Sequence, residues 1–160
     1  MTSIIGRRRR TAYPACMSTM NPAALTSLIA EQSALDTRIH ALDGSPLQTL
    51  GVGEALLAFG AREHEAFASL APLLDATVGA ELQAEHQQIA DDLELLEWLL
   101  RTAPDSPDVA MLTASLERRM RQHSDRDGRL LARAAALQAH LDSKESKDGE
   151  SGEGARRASR

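Results

Sequence analysis

Apolar residues recur at alternating steps of three and four along four separate stretches of the chain, the spacing that collects them on one face of an α-helix. The stripes run Leu28, Gln32, Leu35, Ile39, Leu42; then Gly60, Glu63, Phe67, Leu70, Leu74; then Leu82, His86, Ile89, Leu93, Leu96; and finally Leu116, Met120, His123, Asp127, Leu130, Ala134, Leu137, Leu141. The first stripe overlays the third, Leu28 on Leu82 through Leu42 on Leu96. The second overlays the fourth, Gly60 on Met120 through Leu74 on Ala134. Two helical hairpins related by a pseudo-twofold account for that repetition.

Punctuation between the stripes marks the ends of the helices. Asn21-Pro22, Ser45-Pro46 and Ser106-Pro107 each put a capping side chain before a proline at the first helical position, where the missing N–H costs nothing. Thr77 caps a weaker fourth start, Gly44 stops the first helix, and Pro104 lies just beyond the third. The pattern predicts helices over 22–43, 46–74, 78–102 and 107–141, with Pro72 kinking or ending the second near Leu70. Connections this short make neighbours antiparallel, so the expected fold is an all-α, up-down-up-down four-helix bundle spanning 21–141. A basic arm (1–20) and a polar tail (142–160) without apolar stripes are expected to be disordered. Alternatively, translation starts at Met17 or Met20.

Composition narrows the function classes. With one Trp, one Tyr and two Phe, the 160 residues carry few of the side chains that build strands. The net charge of −5 includes Arg7 to Arg10 in the arm, so the body is more acidic than the whole, which argues against nucleic acid as a partner. Glu81, Glu85, Asp91, Asp92, Glu94 and Glu97 crowd the third helix, and Arg118, Arg119, Arg121, Arg126, Arg129 and Arg133 the fourth, as complementary faces of neighbours would. Cys16 is the sole cysteine, so no disulfide framework exists; no signal-peptide pattern or membrane span is visible, and a cytoplasmic protein is expected. No phosphate loop, HExxH or nucleophile–base motif occurs. Trp98 reads as a core or interface anchor, and His40 and His140 as helix-end residues.

What remains is the polar content of the seams. Gln32, Glu63, His86 and His123 put one polar residue on each stripe, with Asp127 one turn after His123, and the overlay expects all five to converge. A histidine and an aspartate on a buried stripe must pair with each other or bind a cation, because desolvating a carboxylate costs several kcal/mol. Two imidazoles and a carboxylate make a facial set suited to Fe(II), Zn(II) or Mn(II). His86, His123 and Asp127 are the primary candidate ligands; Glu63 and His64 are secondary, His64 lying off the middle of its stripe. A ferritin-like carboxylate site is disfavoured, since Glu-x-x-His occurs nowhere.

Glu85-His86-Gln87-Gln88-Ile89 through Trp98-Leu99-Leu100, the run Leu116 to Leu131, and Arg62-Glu63-His64 followed by Leu70-Ala71-Pro72 together resemble the hemerythrin-like, or HHE cation-binding, family over roughly 25–141. The resemblance implies a four-helix bundle holding non-haem iron with histidines from the helices and bridging carboxylates, and interaction with O2, NO or redox state. Gln32 stands where the family's first-helix histidine would be, Glu63 and Phe67 where its second-helix histidine and glutamate would be, and Ala90 one turn after His86. The ligand set is therefore reduced, to one iron or to an incomplete di-iron centre. The other reading is a metal-free bundle, serving as an interaction or scaffold protein, whose seam residues form a hydrogen-bond network that fixes helix register.

Overall fold

The protein, described as a computed structural model over residues 21–70 and 77–157, contains four helices: α1 (Pro22–His40), α2 (Pro46–Leu70), α3 (Val78–Thr102) and α4 (Pro107–Arg157). The expectations for the basic arm, Cys16 and the Pro72 kink fall outside the described residues. Each proline-marked start is where the sequence put it. The Asn21 side chain accepts from the Ala23 N–H at 2.9 Å, and the Ser106 hydroxyl accepts from the Asp108 N–H at 3.2 Å. α1 ends at His40 rather than 43, and the chain turns through Gly44 at φ 91, a left-handed conformation that glycine adopts without a Cβ penalty.

Paired residues across the helices show that neighbours run antiparallel. Along α1, Gln32 meets Ser124 while Leu42, just beyond its end, meets Arg121; along α3, Glu81 meets Arg126 while Asp92 meets Arg119. Sequence neighbours pack together, α1 closes the ring against α4, and α2 also reaches α4 across the bundle. That diagonal sets the second and fourth seams face to face. The acidic face of α3 and the basic face of α4 are complementary, as expected, through Arg126 with Glu81 and Glu85 and Arg119 with Asp92.

Buried positions follow the stripes, with one drift. Leu116, Met120, His123, Asp127 and Ala134 are buried, but beyond Asp127 burial passes to Leu131 and Gln138 rather than Leu130 and Leu137. The repeat of 3.6 residues per turn allows either step of three or four, and packing chose the latter. α4 also continues to Arg157, past the end at 141 that the stripe predicted. Propagating a formed helix needs no new nucleus, and Gln138 to Asp142 and Ser143 to the Ala139 carbonyl continue its i,i+4 bonding. Trp98 is not in the core; it is exposed on α3 with Leu95.

Two glycines set the separation of α2 and α3. Gly53 and Gly60 lie seven residues apart on one face of α2, and a Cβ on either would overlap an α3 side chain: Leu93 Cδ2 at 2.6 Å and His86 Nε2 at 2.5 Å. Near the opposite end, buried Glu117 accepts from the Gly44 N–H at 2.9 Å and the Thr49 hydroxyl at 3.1 Å, and pairs with Arg121 at 3.3 Å. Glu117→Ala would strand the buried Thr49 hydroxyl and the turn amide. It is expected to cost about 1.5–3 kcal/mol in urea unfolding, and an unchanged midpoint would remove Glu117 as the clasp of the α1–α2 turn.

Candidate metal centre

Steps of three and four turn Glu63 of α2 and His123 and Asp127 of α4 into the bundle, where they are 0%, 2% and 1% exposed. His86 of α3 joins them from the edge, half-buried, its ring seated in the space that Gly60 leaves. The four offer donor atoms that all lie within 4.8 Å of one another. His123 Nε2 is 2.8 Å from His86 Nε2 and 3.0 Å from Asp127 Oδ2, and His86 Nε2 is 3.8 Å from Glu63 Oε2. The rings stand edge to face, with centroids 4.5 Å apart at 70°. Donors about 2.1 Å from one cation sit about 3.0 Å apart at right angles and about 3.4 Å apart in a tetrahedron. The 2.8 and 3.0 Å spacings are close to these values, and the 3.8 Å spacing of His86 and Glu63 would have to contract around an ion.

The charges leave a deficit of donors. Both Glu63 carboxylate oxygens and Asp127 Oδ1 are buried without a hydrogen-bond partner. Burial, reinforced by nearby Asp127, raises the Glu63 pKa from 4.5 to about 8. Burial acts the other way on His123, but its bonds to Asp127 and Glu85 outweigh that and hold it at about 9. His86 is pushed below its usual range, first by burial and then by the charge of His123. Carboxylate oxygens without donors beside two imidazole nitrogens are what a divalent cation would satisfy, so the residues present fit one ion. Nothing comparable supports the trio Asp36, His40 and Asp125, partly buried at Asp36 and exposed at the other two, whose donors also lie within 4.8 Å, because Asp36 and His40 form an ordinary i,i+4 pair at 3.2 Å.

Four of the five candidate ligands therefore meet, and His64 does not. It is exposed and outside the group, because the residue after Glu63 is turned about 100° around the helix. Gln32 also departs from the expected convergence. Its amide donates to the Ser124 carbonyl and hydroxyl at 3.0 Å each, and that hydroxyl donates to Asp36 at 2.7 Å.

Two participants were not visible in the seams. Glu85, one residue before His86 and counted only among the acidic face, accepts from His123 Nδ1 at 2.8 Å and from Arg126, which also holds Glu81. A recess of about 310 Å³ between α3 and α4 opens on this contact, lined by Glu85, Gln88, Arg119, Gln122 and His123 among others. Gly60 is the second. Its apolar-stripe position gave no hint that a ring would occupy its missing side chain.

Gly60→Ala places a methyl 2.5 Å from His86 Cε1 and Nε2. The ring can swing aside, so the bundle is expected to survive, with helix propensity gaining roughly 0.5–1 kcal/mol. Cation affinity should fall at least about tenfold by loss of a donor. A zinc titration with unaltered affinity would show that His86 does not depend on this seat.

No helix among the described residues is long and apolar enough to cross a membrane. Compared with protein-family models, with curated proteins and with solved structures, the chain finds no match, so its function is argued from this geometry.

Proposed function

We propose that the chain is a hemerythrin-like cation-binding protein that holds one divalent transition-metal ion through Glu63, His86, His123 and Asp127. The observation that carries the reading is the meeting of these four donors inside 4.8 Å around a Glu63 carboxylate that is buried with neither oxygen bonded. Two imidazoles with carboxylates suit Fe(II), Mn(II) or Zn(II) over Mg(II) or Ca(II), which prefer all-oxygen sets. Iron is the ion favoured by the resemblance of the Glu63 and His86 to Asp127 stretches to the family. A bound iron would supply a redox change and an open position for a small ligand, and the role that follows is binding or sensing of O2, NO or redox state. Glu63 and Asp127 neutralise the ion's charge, and His86 and His123 set its geometry.

A metal-free scaffold is the second reading, favoured by the bonds that His123 already makes to Glu85, His86 and Asp127. The unbonded Glu63 oxygens count against it, since a finished network would have given them donors. Anaerobic purification and reconstitution with Fe(II) separates the readings. One iron per chain is expected, falling well below one in both His123→Ala and Asp127→Ala with helicity retained. Wild-type protein that keeps no iron, manganese or zinc would leave the scaffold reading.

A further inference from the structure

His123 is the most contacted member of the cluster, and its two ring nitrogens face different surroundings. Nε2 points into the donor group, 2.8 Å from His86 and 3.0 Å from Asp127. Nδ1 points out of it, toward α3, and meets Glu85 Oε2 at 2.8 Å. A neutral imidazole has one lone pair to give, and the nitrogen that does not donate a proton carries it. Without a cation both nitrogens face carboxylates, Glu85 at Nδ1 and Asp127 at Nε2; with Asp127 engaged by a cation, Glu85 would keep the proton on Nδ1 and leave the lone pair on Nε2, toward the cluster. Glu85 is itself held. Arg126, one turn after His123 on α4, bonds Glu85 through one nitrogen and Glu81 through another. Successive positions on α3 thus perform separate tasks, His86 reaching inward and Glu85 reaching around the edge of the helix to the neighbouring ring.

We infer that Glu85, braced by Arg126, is the positioning residue of the centre: it turns His123 and fixes its tautomer so that Nε2 is presented to the cation. The inference rests on the metal-binding reading above. An ordinary interhelical ion pair, Glu81–Arg126–Glu85, is the competing account of the same contacts. It treats the two glutamates alike, whereas positioning treats them differently, because only Glu85 touches the ring.

The test is a zinc competition titration of the full chain against a chromophoric chelator, with thermal melts of the metal-free proteins alongside. Glu85→Ala is expected to lower zinc affinity about 10–100-fold at unchanged stoichiometry. Glu85→Gln should lose less, because the amide oxygen still accepts from Nδ1, and Arg126→Ala should move in the same direction by a smaller factor. Glu81→Ala should leave affinity within about twofold. In the zinc-loaded wild type, imidazole ¹⁵N spectra should show the His123 proton on Nδ1. Equal affinity in wild type, Glu85→Ala and Glu85→Gln overturns the inference alone, as does an Nε2 proton on His123. Equal losses in Glu81→Ala and Glu85→Ala overturn it in favour of the ion pair. Wild type that takes up no zinc overturns the metal reading and this inference with it.

Discussion

Replacing Glu63 with methionine is expected to make the metal-free protein more stable and to abolish its stabilisation by divalent cations. Glu63 is fully buried on α2, neither carboxylate oxygen has a hydrogen-bond partner, and Asp127 lies close enough to raise its pKa further. Without a cation the fold therefore carries a group that burial penalises in its charged form and that, once protonated, has the Asp127 carboxylate as its acceptor. Methionine has a similar length, fills irregular space and needs no partner. Replacing buried ionic groups with apolar ones of similar volume is often neutral or stabilising by about 1–4 kcal/mol, and the lower half of that range is expected here because the bond of the protonated carboxyl to Asp127 is given up. The same change removes a charged donor from the cluster. Where a cation at roughly a thousand times its Kd adds about 4 kcal/mol to wild type, it should add little to Glu63→Met. Urea unfolding with chelator and with excess zinc measures both arms. A metal-free variant less stable than wild type would mean that Glu63 is held by contacts of its own and is not a group kept for binding.

Between pH 6.5 and 9 the metal-free protein is expected to lose stability on the order of 2–4 kcal/mol, and a bound cation should reverse the trend. Glu63 titrates near 8 in the fold, raised by burial and by Asp127, against 4.5 when free. Across that interval the native state holds a proton that the unfolded chain has released, so stability falls as pH rises. His123, pulled down by burial but held at about 9 by Asp127 and Glu85, against 6.5 when free, acts in the same direction. Its contribution is complete below pH 6.5 and is lost as pH rises toward 9. His86 works oppositely, since burial lowers its pKa, but its effect is confined to pH below its ordinary 6.5. Cation binding needs both ligands free of their protons, so the ion's stabilisation grows over the window in which the metal-free fold weakens. Thermal melts at pH 6.5 and 8.5, with chelator and with zinc, should diverge. Parallel curves would exclude Glu63 and His123 as the coupled groups, and Glu63→Met should flatten the chelator curve.

The two experiments bear on one physical choice. A cluster with more acceptors than donors is unstable by itself and becomes stable by acquiring a positive charge, either as protons or as a metal ion. Glu63 and His123 take the protons at low pH. On the proposed reading a cation would take their place at higher pH, so that one residue would cost stability in one state and supply it in the other.

Most of the bundle was legible in the sequence because its causes are local. A cap and a proline at Asn21-Pro22, Ser45-Pro46 and Ser106-Pro107 act within one turn, and a stripe such as Leu82, Ile89, Leu93, Leu96 declares its buried face by spacing alone. Glu63, His86, His123 and Asp127 were legible for the same reason, as polar residues on apolar seams. Tertiary structure decided what spacing leaves open: how each helix is rotated and how near its neighbour comes. The approach of α3 to α2 over Gly60 set the place of His86, and the rotation of α4 moved burial from Leu130 to Leu131. The same packing left His64 outside, sent the Gln32 amide to Ser124, and brought Glu85 from an acidic surface to the far nitrogen of His123. Periodicity specifies directions within one helix, whereas a ligand set depends on distances between helices, and those are fixed only when the side chains of all four pack together.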